Sequence, residues 1–382
     1  MTAKHGTTLP LHAAAHISSI LGQILSGVVL AHALSPAGMG QLNLIQGFCL
    51  MATPLLELGT KGNLYREIAG ANPEKWIKAA NTLSIITGSV ALIGLLATRQ
   101  PAITNLCFLL ACYTLAIEHR ATSIGLLKTN LTGKLKRDIV ANTLGSAFRI
   151  AGALLANNPN TIIVLVFGSY IVEATIRRIS NETLTKKLPG TEPETLKALT
   201  KESLWILPSQ FAGQLTANAN RFWIEASHGL AILGTFGVAQ RQGIAFTLAN
   251  QLLYERHFAK PSLKIACAFA ASAALVTLLS CPLIPFLYGK GFHDAITWSI
   301  WLLIPNILGT LGATSNLKLV RNRQIKTSTL TLLTGTGVTL GLNALLISPF
   351  GIPGTAMALA GGSALQLLLQ TNLHRPCPQQ KP

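Results

Sequence analysis

The chain has 382 residues, 49% of them hydrophobic and only 11% charged, with a mean hydropathy of +0.46 and a net charge of +17. A soluble domain carries roughly a quarter charged residues, so this chain cannot cover a water-facing surface of ordinary size. In so apolar a protein the Lys and Arg surplus reads as cytoplasmic loops rather than as a nucleic-acid surface.

About 20 apolar residues cross a bilayer core, and the sequence supplies about twelve such windows. The first is 9–33, and the run Leu34-Ser35-Pro36-Ala37-Gly38-Met39-Gly40 then turns the chain, because Pro and two Gly interrupt a helix. The second window, 41–60, leads into a loop with Lys61, Arg66, Glu67, Glu74 and Lys75. The third ends before Arg99-Gln100-Pro101 and the fourth at 117; a basic loop with Arg120, Lys128, Lys134, Lys136 and Arg137 precedes the fifth, 139–156. After the turn Asn157-Asn158-Pro159-Asn160 the sixth window reaches the most polar stretch of the chain, 177–202, which reads as a basic hinge loop.

The plan then repeats, with windows at 203–224, 231–254, 263–287, 295–317 and 327–347, and a twelfth ending near 373. A basic loop (Lys318, Arg321, Arg323, Lys326) precedes the eleventh, and Ser348-Pro349-Phe350-Gly351-Ile352-Pro353-Gly354 separates it from the last. The Gly-rich turn after window seven, 229–237, echoes the one after window one. Two lobes are expected, 1–178 and 203–382, joined by a cytoplasmic linker at 179–202. About 25 of the 30 Lys and Arg fall in even-numbered loops and the tails, which places both termini in the cytoplasm. A removed signal peptide is not expected, since no small-residue cleavage site follows a short apolar run.

The six cysteines form no CxxC pair and read as small packing residues. His12 and His16 lie one helical turn apart without a third ligand, so no metal and no cofactor are expected. No Walker-type Lys-Ser/Thr follows the glycine-rich turns, and the short outer loops hold no catalytic set. An enzyme is therefore not expected.

Several segments resemble one family in order and spacing. They are Gly22-Gln23, then Ala31-His-Ala-Leu-Ser35-Pro-Ala-Gly-Met-Gly40, Pro54-Leu-Leu-Glu-Leu-Gly59 and Tyr65-Arg-Glu-Ile-Ala69 in the first half. In the second half they are Asn220-Arg-Phe-Trp-Ile224, Gly234-Thr-Phe-Gly-Val-Ala-Gln-Arg241, Leu287-Tyr-Gly-Lys-Gly-Phe292 and Asn343-Ala-Leu-Leu-Ile347 with Gly351-Ile-Pro-Gly-Thr-Ala356. Together they look like the O-antigen and polysaccharide flippases (Wzx type) of the multidrug/oligosaccharidyl-lipid/polysaccharide (MOP) exporter superfamily. Ser35 stands where that family has Gly, Met39 where it has an aromatic, Glu57 where it has Asp, and Asn220 where it has an acid.

The resemblance implies an all-α polytopic membrane protein of about twelve helices in two six-helix lobes, MOP/MATE-like and V-shaped around a central cavity. It implies a secondary transporter of the cytoplasmic (inner) membrane that flips an undecaprenyl-diphosphate-linked oligosaccharide by alternating access. The implied partners are that lipid-linked substrate, membrane lipids and a polysaccharide polymerase with its chain-length machinery, with the chain a monomer and no nucleic acid bound. The weighed alternatives are a MATE-like multidrug/cation antiporter, a lipid II flippase, and a membrane O-antigen polymerase or ligase.

Such a substrate carries a diphosphate across hydrocarbon, and ionisable groups at that depth cost roughly 2.5–3.5 kcal/mol on insertion scales. Arg149, Arg221 and Arg241 fall inside spans, and a guanidinium binds phosphate as a planar fork that stays charged. These three are the expected diphosphate ligands. Each has a structural alternative: Arg221 can pair with Glu225, and Arg149 and Arg241 can tie to carbonyls or to Glu173. Asn218 and Asn220 are the expected sugar contacts, or interhelical hydrogen bonds. Glu57 and Glu173 are the candidates for ion coupling.

Overall fold

The computed structural model describes residues 8–57, 131–185, 193–257, 261–322 and 324–373. The third and fourth windows, the loop at 61–75, Cys107, Cys112 and Cys377 lie outside the described residues. Every regular element among them is a helix: α1 Thr8–Glu57, α2 Leu131–Leu155, α3 Pro159–Thr185, α4 Pro193–Gln242, α5 Ile244–His257, α6 Leu263–Ser280, α7 Ile284–Tyr288, α8 Ala295–Trp301, α9 Leu303–Arg321 and α10 Ile325–Asn372. Only helices satisfy all backbone polar groups within one segment in hydrocarbon, so an apolar chain of this kind takes this form. Four described stretches are long and apolar enough to span a bilayer, and the bent α8–α9 region adds a fifth. Leu154, Leu155, Phe286 and Leu345 are largely exposed, which suits side chains that meet acyl tails.

Three of the long helices each contain a sharp break, at residues the sequence marks as turns. Ser35 sits at φ 59 and ψ 168 in α1, Gly229 at φ 81 and ψ 174 in α4, and Gly351 at φ 61 and ψ −135 in α10. Positive φ ends the i→i−4 ladder, and glycine enters that region without steric cost. The predicted eighth span is further divided at Gly243, and the tenth at Leu302. The stretch read as a hinge loop is helical at both ends, since α3 continues to Thr185 and α4 begins at Pro193.

The chain forms two compact units, 1–34 with 48–207, and 35–47 with 208–382. In the first unit α2 lies along α3, and Gly22 of α1 gives room to the Ser146 hydroxyl. In the second, α9 packs on α10, and Phe246, Ala249, Ala270 and Ala273 join α5 to α6. The two legs of α10 close on each other through Gly335 and Gly362, where a Cβ on Gly335 would stand 3.0 Å from the Gly362 carbonyl oxygen. Thr336 donates to the Ala212 carbonyl at 3.2 Å and lies 2.7 Å from the Thr216 hydroxyl, tying α10 to α4.

Residues 35–47 are seated within the second unit by a reciprocal contact. A Cβ on Gly40 would overlap the Leu230 carbonyl oxygen, and one on Gly234 would overlap the Pro36 carbonyl oxygen. Ser35, Pro36 and Gly40 stand to Gly229, Leu230 and Gly234 at one constant spacing along the chain. Swapping the two segments therefore exchanges the partners, which is the signature of a two-fold relation between equivalent surfaces. The echo between the two glycine-rich turns is thus a structural repeat. Met39, Leu42, Leu233 and Phe236 are fully buried at this seam.

Candidate functional site

In the first unit the facing sides of α2 and α3 carry a ladder of charges. Asp138 and Arg149 lie eleven residues apart on α2, about 16 Å along its axis. Between them Arg177 and Glu173 reach across from α3, one turn apart. Arg177 Nε is 3.7 Å from Asp138 Oδ1, and Arg177 Nη2 is 3.7 Å from Glu173 Oε2. Arg149 Nη1 closes the ladder 2.9 Å from Glu173 Oε1. Arg177 also donates to the Asn142 side-chain oxygen, while Arg137 donates to the Arg177 carbonyl and pairs with Asp138 at 3.4 Å.

Arg149 and Glu173 are each only 7% exposed. Bringing two such ions out of water costs several kcal/mol per ion, which their mutual attraction and further hydrogen bonds must offset. Arg149 has those bonds: Nη1 donates to Ser169 Oγ at 3.3 Å, Nη2 to Ser146 Oγ at 3.1 Å, and the guanidinium stands 5.3 Å from the Tyr170 ring centre. Gly145 makes the space for the carboxylate, since a Cβ there would stand 2.5 Å from Glu173 Cδ. Three arginines and two carboxylates thus form one connected set of ion pairs.

The other expected site residues lie in the second unit. Arg221 Nη1 donates to the Asn43 carbonyl at 2.8 Å, with its stem over Gly47. There it holds the 35–47 segment. Arg241 is half-buried, within electrostatic reach of Tyr288. Asn218 donates to the Gln214 carbonyl at 2.9 Å, a bond within its own helix. Asn220 is completely buried and neither side-chain polar atom has a hydrogen-bond partner. Glu57 ends α1, and its side chain lies outside the described ones.

The structure thus brings Arg149 and Glu173 together and adds Asp138, with Arg137 from the basic loop and Arg177 from the edge of the polar stretch. One signal pointed to Arg177: it follows Glu173 by four residues, the spacing that places two side chains on one helix face.

No protein-family model matches the sequence, and no curated protein does. Solved structures do match the fold. The chain is similar to the MATE multidrug transporter DinF-BH in complex with R6G, at TM-score 0.68 and 13% identity over 96% of both chains. It is similar to a multidrug resistance MATE family transporter of the MOP superfamily in an outward-facing conformation, at TM-score 0.62 and 13% identity over 93% of both chains. An inward-facing conformation of such a transporter aligns at TM-score 0.56 and 16% identity, over 95% of this chain and 93% of that one. The fold is therefore the polytopic all-α membrane fold of the MATE transporters.

Proposed function

We propose that this chain is a secondary transporter that flips a polyprenyl-diphosphate-linked oligosaccharide, an O-antigen or other polysaccharide repeat unit, across the cytoplasmic membrane by alternating access. The observation that carries the reading is Arg149, a guanidinium only 7% exposed inside a span and still holding an Nε–H without a hydrogen-bond partner. A fixed guanidinium at bilayer depth suits an anionic head group, which has to leave water for a low-dielectric path. Arg149 is the diphosphate ligand of the first unit, with Arg221 and Arg241 in the same role in the second and Asn218 and Asn220 at the sugar. The transporter fold and the whole-chain motif resemblance support the same assignment.

The second reading, a multidrug/cation antiporter, is favoured by the solved structures of this fold, which include MATE multidrug transporters. An organic cation needs an acid without an internal partner. Glu173, the one buried carboxylate among the described residues, is already paired with two arginines.

The deciding experiment reconstitutes the protein in liposomes with a polyprenyl-diphosphate-linked oligosaccharide and measures its appearance in the opposite leaflet. Flux above protein-free vesicles, lost in Arg149→Ala and Arg241→Ala and partly restored by Lys at either position, is expected. Absence of lipid flux together with proton-driven uptake of an organic cation would replace the flippase by the antiporter.

A further inference from the structure

We propose that Glu173 is a displaceable counter-ion, which occupies Arg149 while no anion is bound and moves onto Arg177 when an oxyanion takes the Nε edge of Arg149. The inference rests on Arg149 as the diphosphate ligand in the reading above and adds how that ligand is kept ready.

Two observations carry it. First, a carboxylate or phosphate bound side-on to a guanidinium engages two N–H groups at once. Glu173 meets Arg149 at Nη1 alone, and the Arg149 Nε–H is buried with no hydrogen-bond partner. The Nε–H, beside an Nη2 that gives one of its two protons to Ser146 Oγ, is therefore left for another oxyanion. Second, Glu173 has an alternative partner in place. Its Oε2 is already 3.7 Å from Arg177 Nη2 on the same helix, so a small side-chain rotation trades one guanidinium for another.

Glu173 remains paired throughout the exchange, because Arg149 and Arg177 stand on either side of it at 2.9 and 3.7 Å. The resident carboxylate keeps Arg149 from standing as an isolated buried charge, which would be costly. It also competes with the ligand, and release of the ligand is then assisted by its return. The ligand class is a phosphate or diphosphate ester, lipid-linked or free.

The test uses the full chain purified in detergent, titrated calorimetrically with inorganic pyrophosphate. A parallel arm uses nanodiscs carrying a polyprenyl diphosphate or, as its control, the polyprenyl alcohol. Glu173→Gln keeps the side-chain shape but removes the competitor, and it is expected to bind pyrophosphate at least about tenfold more tightly than the wild type, the scale of one competing ion pair. Gly145→Ala retains every charge while crowding the carboxylate off its seat, and it is expected to shift affinity in the same direction. Arg149→Gln is expected to remove binding. Unchanged or weaker binding by variants that elute like the wild type overturns the proposal. If Glu173→Gln does not fold, Gly145→Ala decides alone. Failure of the wild type and both variants to bind in either arm also overturns it.

Binding in the nanodisc arm alone identifies the ligand as lipid-linked, and binding in both arms identifies the phosphate chemistry as sufficient; either supports the exchange. Tighter pyrophosphate binding by Glu173→Gln without any flux of lipid-linked oligosaccharide in liposomes would end the flippase reading and leave the counter-ion standing.

Discussion

Alanine in place of Gly234 would put a methyl carbon onto the Pro36 carbonyl oxygen and 2.9 Å from the Gly40 amide nitrogen. Both neighbours are backbone, so no side chain can rotate out of the way. Residues 35–47 would have to move off α4 by about 1 Å or more to restore ordinary contact. Overpacking a tight seam costs typically 1–3 kcal/mol, and a rigid backbone partner puts this substitution near the upper end, at about 3 kcal/mol. That shifts the balance between the seated and unseated segment by roughly a hundredfold. Met39 is fully buried at this seam and reports on it. With the six native cysteines replaced, a Met39→Cys reporter should react with maleimide far faster when combined with Gly234→Ala or Gly40→Ala. Gly213→Ala and Gly309→Ala serve as controls, because nothing lies within 4 Å of a Cβ at either position. Equal labelling rates in the Gly234→Ala and Gly213→Ala backgrounds would refute the reciprocal contact.

Other outcomes follow from single residues. Ser35→Gly should raise the apparent melting temperature in detergent, because Ser35 holds a conformation that costs of order 1–3 kcal/mol for a non-glycine residue and its repeat equivalent is already Gly229. Its hydroxyl accepts only a long 3.5 Å bond from the Gly38 amide, which offsets little of that. Arg221→Ala should accelerate labelling of the Met39→Cys reporter, with Arg221→Lys intermediate, since the guanidinium holds the Asn43 carbonyl at 2.8 Å. Thr336→Val should lower the melting temperature modestly, because membrane interhelical hydrogen bonds contribute about 0.6–2 kcal/mol.

Much of the architecture was legible along the chain because hydrocarbon imposes local rules. An apolar run of sufficient length has to be helical, and Ser35-Pro36, Gly229 and Gly351 interrupt such runs for reasons of backbone stereochemistry alone. The helix breaks accordingly fall where the residues place them. The intramembrane arginines were equally visible, since any charge in an apolar run stands out.

What each arginine does was not visible in that way. Arg149 could equally have met a carbonyl or Glu173, and only the packing of α2 on α3, with Gly145 opened for the carboxylate, selects Glu173. Arg177 sat at the edge of a polar stretch and read as loop charge, until the continuation of α3 to Thr185 turned it toward Asp138. Composition and spacing thus determined the membrane class, the long helices and their breaks at Ser35, Gly229 and Gly351, because these depend on neighbours in sequence. Partner choice among buried charges depends on groups dozens of residues away, so the tertiary structure alone decided it.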